Sequence, residues 1–281
     1  MRVMVVGARG LLGAAVTREL SSECDVHAFG RADLDLTATT RVLRAVEDVA
    51  PDAIVNCSAF NGVDLAEDQP ESALAVNAFA VLALARAASR SRCTLVHFST
   101  DFVFDGLTDR PYTEEDEPNP RSYYGLSKLL GEWFAGEHDR AYVLRVESLF
   151  GASAPGAPPK GSLHAIVQRI LAGVEVPVFV DRTVSPTYTS DVARALHAIL
   201  RVAPEPGLYH CVNSGAATWV EVAKEAAQLL GRPIRMREIT LESAQLRAPR
   251  PRYCALSNAK LAAAGIDMPG WQDGLRRYLG K

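Results

Sequence analysis

Three glycines spaced three apart, Gly7, Gly10 and Gly13, stand directly after the apolar run Val3–Val6 and open an amphipathic stretch, Leu11–Leu20. A strand that turns into a helix through such a triad leaves few folds open. Glycine permits the tight turn and lets backbone N–H groups approach an anion, while the helix N-terminus adds partial positive charge. After the first strand of a chain, G-x-x-G-x-x-G predicts a pyrophosphate cradled by Gly7, Arg9, Gly10, Leu11, Leu12 and Gly13, as in a dinucleotide. A tight turn without ligand is the competing reading. Apolar content here mimics a secretory leader, but Arg9 and the glycines interrupt it, so strand–turn–helix is expected.

Apolar runs and helical patterns go on alternating. Asp25–Phe29, Ala53–Cys57, Thr94–Ser99 and Tyr142–Val146 read as strands, with helices over Thr39–Val49 and Pro70–Ser89. Such alternation predicts right-handed βαβ units: an α/β chain with a Rossmann-like doubly wound parallel sheet. After Phe150 the segment GASAPGAPPKGS, 151–162, reads as a loop passing over the site, with a linker between independent domains as the competing reading. Further helices are expected over Leu163–Ala172, Ser190–Leu200, Thr218–Leu230 and Asn258–Ala264. The predicted organisation is a dinucleotide-binding domain over 1–150 with a return segment at 181–202. A smaller C-terminal substrate-binding region takes 151–180 and 203–281.

Composition narrows the partners. The net charge of −3 offers no global field for nucleic acid or anionic membrane. No eighteen-residue apolar stretch is evident, so no membrane span is expected. Five scattered cysteines, never spaced C-x-x-C, argue against a disulfide framework and suit a reducing cytoplasm. No histidine pair has ligand spacing, and no metal is assigned. The expected partner is a small molecule, bound by a monomer or homodimer.

The chemistry is carried by Tyr124 and Lys128, at i and i+4 on one helix face. A neighbouring ammonium is expected to lower the phenol's pKa toward the working range and to hold the nicotinamide ribose. Alone the pair is weak, since roughly 0.14 such pairs arise by chance in this composition. Ser99-Thr100-Asp101 sharpens it, because a hydroxyl at a strand's carboxyl edge can polarise a carbonyl. Glycine turn, strand-end hydroxyl and Tyr-x-x-x-Lys together specify hydride transfer. The second strand ends at Phe29-Gly30-Arg31 without a carboxylate, and Arg9 lies in the glycine turn. Two guanidiniums suit a 2′-phosphate, which favours NADPH over NADH. Solvated arginines beside Asp33 or Asp35 are the competing reading.

With these residues in place, the chain resembles the extended short-chain dehydrogenase/reductases, and within them the dTDP-4-dehydrorhamnose reductase family, over essentially its whole length. The resemblance lies in Gly7–Gly13, Val55–Ala59, Val63–Glu67, Ser99–Gly106, Tyr124–Lys128, Leu144–Val146, Ser185–Thr187 and Gly207–His210. It implies Thr100, Tyr124 and Lys128 as the catalytic trio. It also implies Asp35, Leu36, Cys57, Ser58 and Ala59 along the cofactor, with Arg31 from the residue reading. Val63, Asp64, Thr100, Asp101, Glu147 and Arg252 are the expected substrate-side residues. The implied reaction reduces the 4-keto group of a nucleotide-activated 6-deoxyhexulose, with Tyr124 protonating the alkoxide and Thr100 donating a second hydrogen bond. Two segments depart from the family pattern. Phe60-Asn61-Gly62 lacks its threonine, and Arg145-Val146-Glu147-Ser148 lacks its tryptophan. An epimerase or a non-catalytic regulatory subunit on the same fold are the alternatives. Phe102 after Asp101 argues against a dehydratase, which carries two successive carboxylates there.

Four features are expected to be structural. His97 reads as a core histidine, Glu114–Glu117 as a solvated acidic loop, and Thr218 as the cap of a helix with Glu221 at its third position. Cys57 reads as a small lining residue. The basic segment Arg247, Arg250 and Arg252 could meet a diphosphate or be solvated.

Overall fold

The computed structural model describes residues 1–281 except 155, 159 and 160, so part of the predicted loop 151–162 lies outside the described residues. The first half follows strict alternation: β1 (Arg2–Val6), α1 (Leu11–Leu20), β2 (Asp25–Phe29), α2 (Thr39–Val49), β3 (Ala53–Asn56) and α3 (Val63–Asp68). Next come α4 (Pro70–Leu74), a π-helical turn at Ala75–Phe79, α5 (Ala80–Ser91), β4 (Thr94–Thr100), α6 (Tyr123–Gly136) and β5 (Ala141–Val146). The second half holds β6 (Leu149–Phe150), α7 (Ser162–Leu171), β7 (Val176–Phe179), β8 (Thr183–Val184), β9 (Thr187–Tyr188), α8 (Thr189–Val202) and β10 (Gly207–His210). It ends with β11 (Ala217–Thr218), α9 (Trp219–Leu230), β12 (Met236–Ile239), α10 (Ala259–Ala263) and α11 (Trp271–Tyr278).

Six parallel strands form the central sheet in the order β10-β5-β4-β3-β1-β2. Alternate residues of each strand face opposite sides. Val3, Val5, Val55, Val96 and Leu144 pack with α1 and α8, whereas Met4, Val6, Ile54, Leu95 and Val143 pack with α2 and α5. The chain reverses its direction of winding between β1 and β3, where a doubly wound sheet opens a crevice. The glycine turn and the end of β3 both lie there.

A separate apolar cluster joins Phe150, α7, β7, Trp219 of α9 and Trp271 of α11. The capping box predicted for α9 forms: Glu221 N–H donates to Thr218 Oγ1 (3.2 Å) and Thr218 N–H to Glu221 Oε2 (2.7 Å). The short elements of the second half, among them β10 and α11, carried too weak a pattern to be predicted. Strand β10 is four residues long, yet it completes the edge of the main sheet from within the span expected for the substrate region. Helix α11 covers only two turns.

The acidic run is less solvated than expected. Glu114 Oε1 accepts the outward His210 N–H of β10 (2.7 Å), and Asp116 takes both guanidinium nitrogens of Arg110. The helical run Pro70–Ser91 also differs from expectation, being long and apolar enough to cross a membrane. Its alanines account for this, and more than half of that window is buried inside the fold, where Val81, Leu84 and Ala88 join the sheet core.

Candidate active site

Gly7 adopts φ +75°, and a Cβ there would lie 2.6 Å from the Ser58 nitrogen. A Cβ on Gly13 would lie 2.2 Å from the Gly7 carbonyl oxygen. Only glycine fits at either position, so the turn is pressed against both the end of β3 and the start of α1. Gly10 caps α1 with no side-chain bond, which leaves the N–H groups of Leu11, Leu12 and Gly13 directed outward at the positive helix end. This cradle fits a dinucleotide pyrophosphate.

The Arg9 side chain lies across Gly30 and pairs with Asp33 (3.3 Å), whose carboxylate also accepts the Gly30 N–H (2.8 Å). A carboxylate therefore does sit just past the end of β2, in the turn rather than on the strand. Arg31 is exposed. Asp35 accepts from Thr37 N (3.0 Å) and Oγ1 (2.8 Å), which lowers its pKa, while Leu36 is buried under α2. Cys57, Ser58 and Ala59 continue β3 into the crevice. Burial pushes the Cys57 thiol well up, which suits an inert lining residue. Ser58 is fixed by Asn56 Oδ1, and Asn56 Nδ2 contacts His97 Nδ1 (3.1 Å). Burial keeps His97 neutral.

Thr100 ends β4, and a single 3₁₀ turn, Asp101–Val103, follows it. Helix α6 begins against that turn: a Cβ on Gly125 would lie 2.2 Å from the Phe102 carbonyl oxygen. The glycine inside Tyr124-Gly125-Leu126-Ser127-Lys128 thus permits the approach that brings Tyr124 beside Thr100 and Asp101. Ser122 caps the helix by accepting from Gly125 N (3.1 Å). Phe102 packs edge-on against the Tyr124 ring at 5.5 Å. Lys128 is 2% exposed and its Nζ donates to the Phe98 carbonyl (2.6 Å).

The electrostatics correct one expectation. The Tyr124 phenol is raised above its ordinary pKa, first by burial and then by Asp101, with the Thr100 hydroxyl opposing. Burial lowers Lys128 to about 8. The ammonium is engaged with a β4 carbonyl instead of acidifying the phenol, so the tyrosine is held as a neutral acid.

Val63 opens α3 and packs toward Tyr124. Asp64 accepts from Ala248 N (2.9 Å) and Arg250 Nη2 (2.8 Å). Arg247 pairs with Asp68, and Arg252 is exposed. Glu147, at the end of β5, is buried and accepts the Ser185 N–H through Oε2 (2.5 Å).

Several contributors escaped sequence reading. Asn77, in the π-helical turn, accepts from Phe60 N (2.8 Å) and donates to Ser127 Oγ (2.9 Å), which in turn donates to the Tyr124 carbonyl (2.8 Å). Arg145 is fully buried, forked onto Glu132 at 2.8 and 2.7 Å. Arg182 reaches Cys254 Sγ (3.1 Å) across 72 residues of sequence. An asparagine inside an alanine-rich helix was the one signal available; the others depend on tertiary contact.

Comparison with known proteins agrees with this geometry. A dTDP-4-dehydrorhamnose reductase of Streptomyces griseus is 36% identical, covering 95% of this chain and 88% of its own. One from Sinorhizobium fredii is 32% identical over 99% and 97%. The crystal structure of dTDP-4-dehydrorhamnose reductase from Bacillus anthracis in complex with NADP superposes with a TM-score of 0.93 at 30% identity, covering 99% and 98% of the two chains. The model of the RmlD substrate binding domain family matches residues 1–281, and the chain belongs to that family.

Proposed function

We propose that the chain reduces the 4-keto group of a dTDP-activated 6-deoxyhexulose with NADPH as reductant, acting in the cytoplasm. The observation that supports this best is the convergence of Thr100, neutral Tyr124 and buried Lys128 at the carboxyl end of β4, beside a turn only glycine can form. The dinucleotide, held by the outward N–H groups of Leu11, Leu12 and Gly13 and by the crevice-lining Cys57, Ser58 and Ala59, supplies the hydride when bound. Arg9, in the glycine turn, and the exposed Arg31, just past β2, would meet a 2′-phosphate. NADH remains an acceptable second substrate, since Arg9 already pairs with Asp33.

Tyr124 delivers its phenolic proton to the alkoxide that develops at C4, and its raised pKa keeps that proton in place until then. Thr100 offers a hydroxyl to the same oxygen. Lys128, its Nζ fixed on the Phe98 carbonyl, acts toward the nicotinamide ribose and not on the phenol. Residues 1–150 with 181–202 form the dinucleotide side, joined at the sheet edge by β10, and 151–180 with much of the remaining 203–281 the sugar side.

The test is oxidation of free NADPH in the presence of a dTDP-4-keto-6-deoxy sugar. Stoichiometric consumption is expected. Interconversion of sugars with no net change in cofactor would instead establish an epimerase. Tyr124→Phe should bind NADPH normally and lose turnover by on the order of 10²–10⁴-fold; retention of near-normal rates removes Tyr124 as the acid.

A further inference from the structure

A hydroxyl has one proton to donate. Thr100 gives its proton to Asp101 Oδ1 at 2.9 Å. While Asp101 is anionic, that charge-assisted bond is strong and turns the hydroxyl away from any carbonyl in the crevice. Asp101 is itself 4% exposed, and its other oxygen, Oδ2, is buried without a partner among the described residues. Glu147, from the end of β5, is 2% exposed, and acidic atoms of Asp101, Glu147 and Cys254 lie within 4.8 Å of one another. Two carboxyls that close and that buried do not both ionise.

Every element packed on the pair contributes. Ser185 N–H and Ser148 Oγ donate to Glu147. Tyr124 faces Asp101 from α6, and Tyr253 faces Glu147. Arg182 is a cation that favours both ionised acids, and it is hydrogen-bonded to Cys254 Sγ and the Pro251 carbonyl (3.2 Å). Burial raises Asp101 to about 6 and, together with Asp101's charge, raises Glu147 well above the usual carboxylate range.

We infer that Asp101 and Glu147 share a single proton and that this proton frees Thr100 to act: when it moves from Glu147 to Asp101, the hold on the Thr100 hydroxyl weakens and the hydroxyl turns to the substrate's carbonyl oxygen. No bond to carbon is involved; one O–H breaks on Glu147 and one forms on Asp101. Glu147 is a positioning residue, acting through Asp101. The inference rests on the reductase reading for its consequence, although the shared proton itself does not.

The active form holds the proton, so turnover is full below the pair's upper titration and falls as pH rises through it. Glu147→Gln supplies an amide that favours ionised Asp101. It should move this limb to lower pH and reduce kcat at neutral pH by on the order of 10²-fold, recovered on acidification. Glu147→Asp should retain the limb. Asp101→Asn, which has no proton to lose, should abolish it.

Infrared spectra of the whole chain provide a readout independent of turnover. At neutral pH the wild type should show a protonated-carboxyl stretch that Glu147→Gln removes, with thermal melting as the check on folding. A wild-type spectrum lacking that band, or a Glu147→Gln limb identical to that of the wild type, overturns the inference. A wild type that shows the band but oxidises no NADPH with keto sugars supports the shared proton and refutes the reductase reading.

Discussion

At Gly13 a methyl group would sit 2.2 Å from backbone oxygen that cannot yield without moving the turn. Gly13→Ala should therefore cost on the order of 1–3 kcal/mol in urea denaturation and weaken NADPH binding along with it. Loss of neither would mean that the turn repacks freely. Lys128 makes a subtler case. Its pKa falls from 10.5 in the ordinary state to about 8 when buried, so the unfolded chain binds the extra proton between those values. Stability from this group rises with pH through that window and is lowest below it. Lys128→Met removes the dependence, so any stability advantage of the variant should shrink from about pH 8 toward pH 10, read from paired denaturation curves. Gly13, Tyr124 and Lys128 were legible in the sequence because each belongs to a short spacing. The direction of the phenol's shift was not, because it depends on burial and on Asp101.

Strands β1, β3, β4 and β5 were legible from their largely apolar runs, since each is buried on both faces, whereas the edge strand β2 is only partly buried and was marked by its place after α1. β10 was not, because four residues containing His210 and Tyr209 carry no such run. The π-helical turn was hidden by alanines that fit any helix. What joins these elements at the site is polar and non-local. Helix α6 carries Tyr124 and Lys128, and its Glu132 receives both forks of Arg145 from β5, a residue that also lies over the Phe104 ring at 4.8 Å. Removing one member of a buried pair leaves the other's charge uncompensated. Glu132→Ala should thus destabilise by about 3–5 kcal/mol, measured by chemical denaturation. A cost below about 1 kcal/mol, the range of exposed pairs, would show that water reaches Arg145.

Across the molecule, the two halves meet through a strap. Residues 247–252, from the far end of the chain, lie over α3: Arg250 bonds Asp64 at 2.8 Å, Ala248 N–H bonds the same carboxylate at 2.9 Å, and Arg247 pairs with Asp68. The Arg250 guanidinium also lies over the Phe102 ring at 5.8 Å, and Phe102 packs on Tyr124. The strap therefore touches the site through one intervening ring. Its basic residues could be read from the sequence, but their acidic partners, nearly 190 residues earlier, could not. Asp64 is half-exposed, so these pairs contribute little to global stability. Arg250→Ala should leave the denaturation midpoint within about 1 kcal/mol of the wild type. Local opening draws on a smaller free energy than unfolding, so amide exchange over 241–253 should quicken in the variant while the sheet stays protected. Because the loosened strap also frees Phe102, KM for the nucleotide sugar should rise more than kcat falls. Unchanged exchange across 241–253 would mean that backbone contacts such as Thr183 N–H to the Arg252 carbonyl (2.9 Å) hold the strap without Arg250.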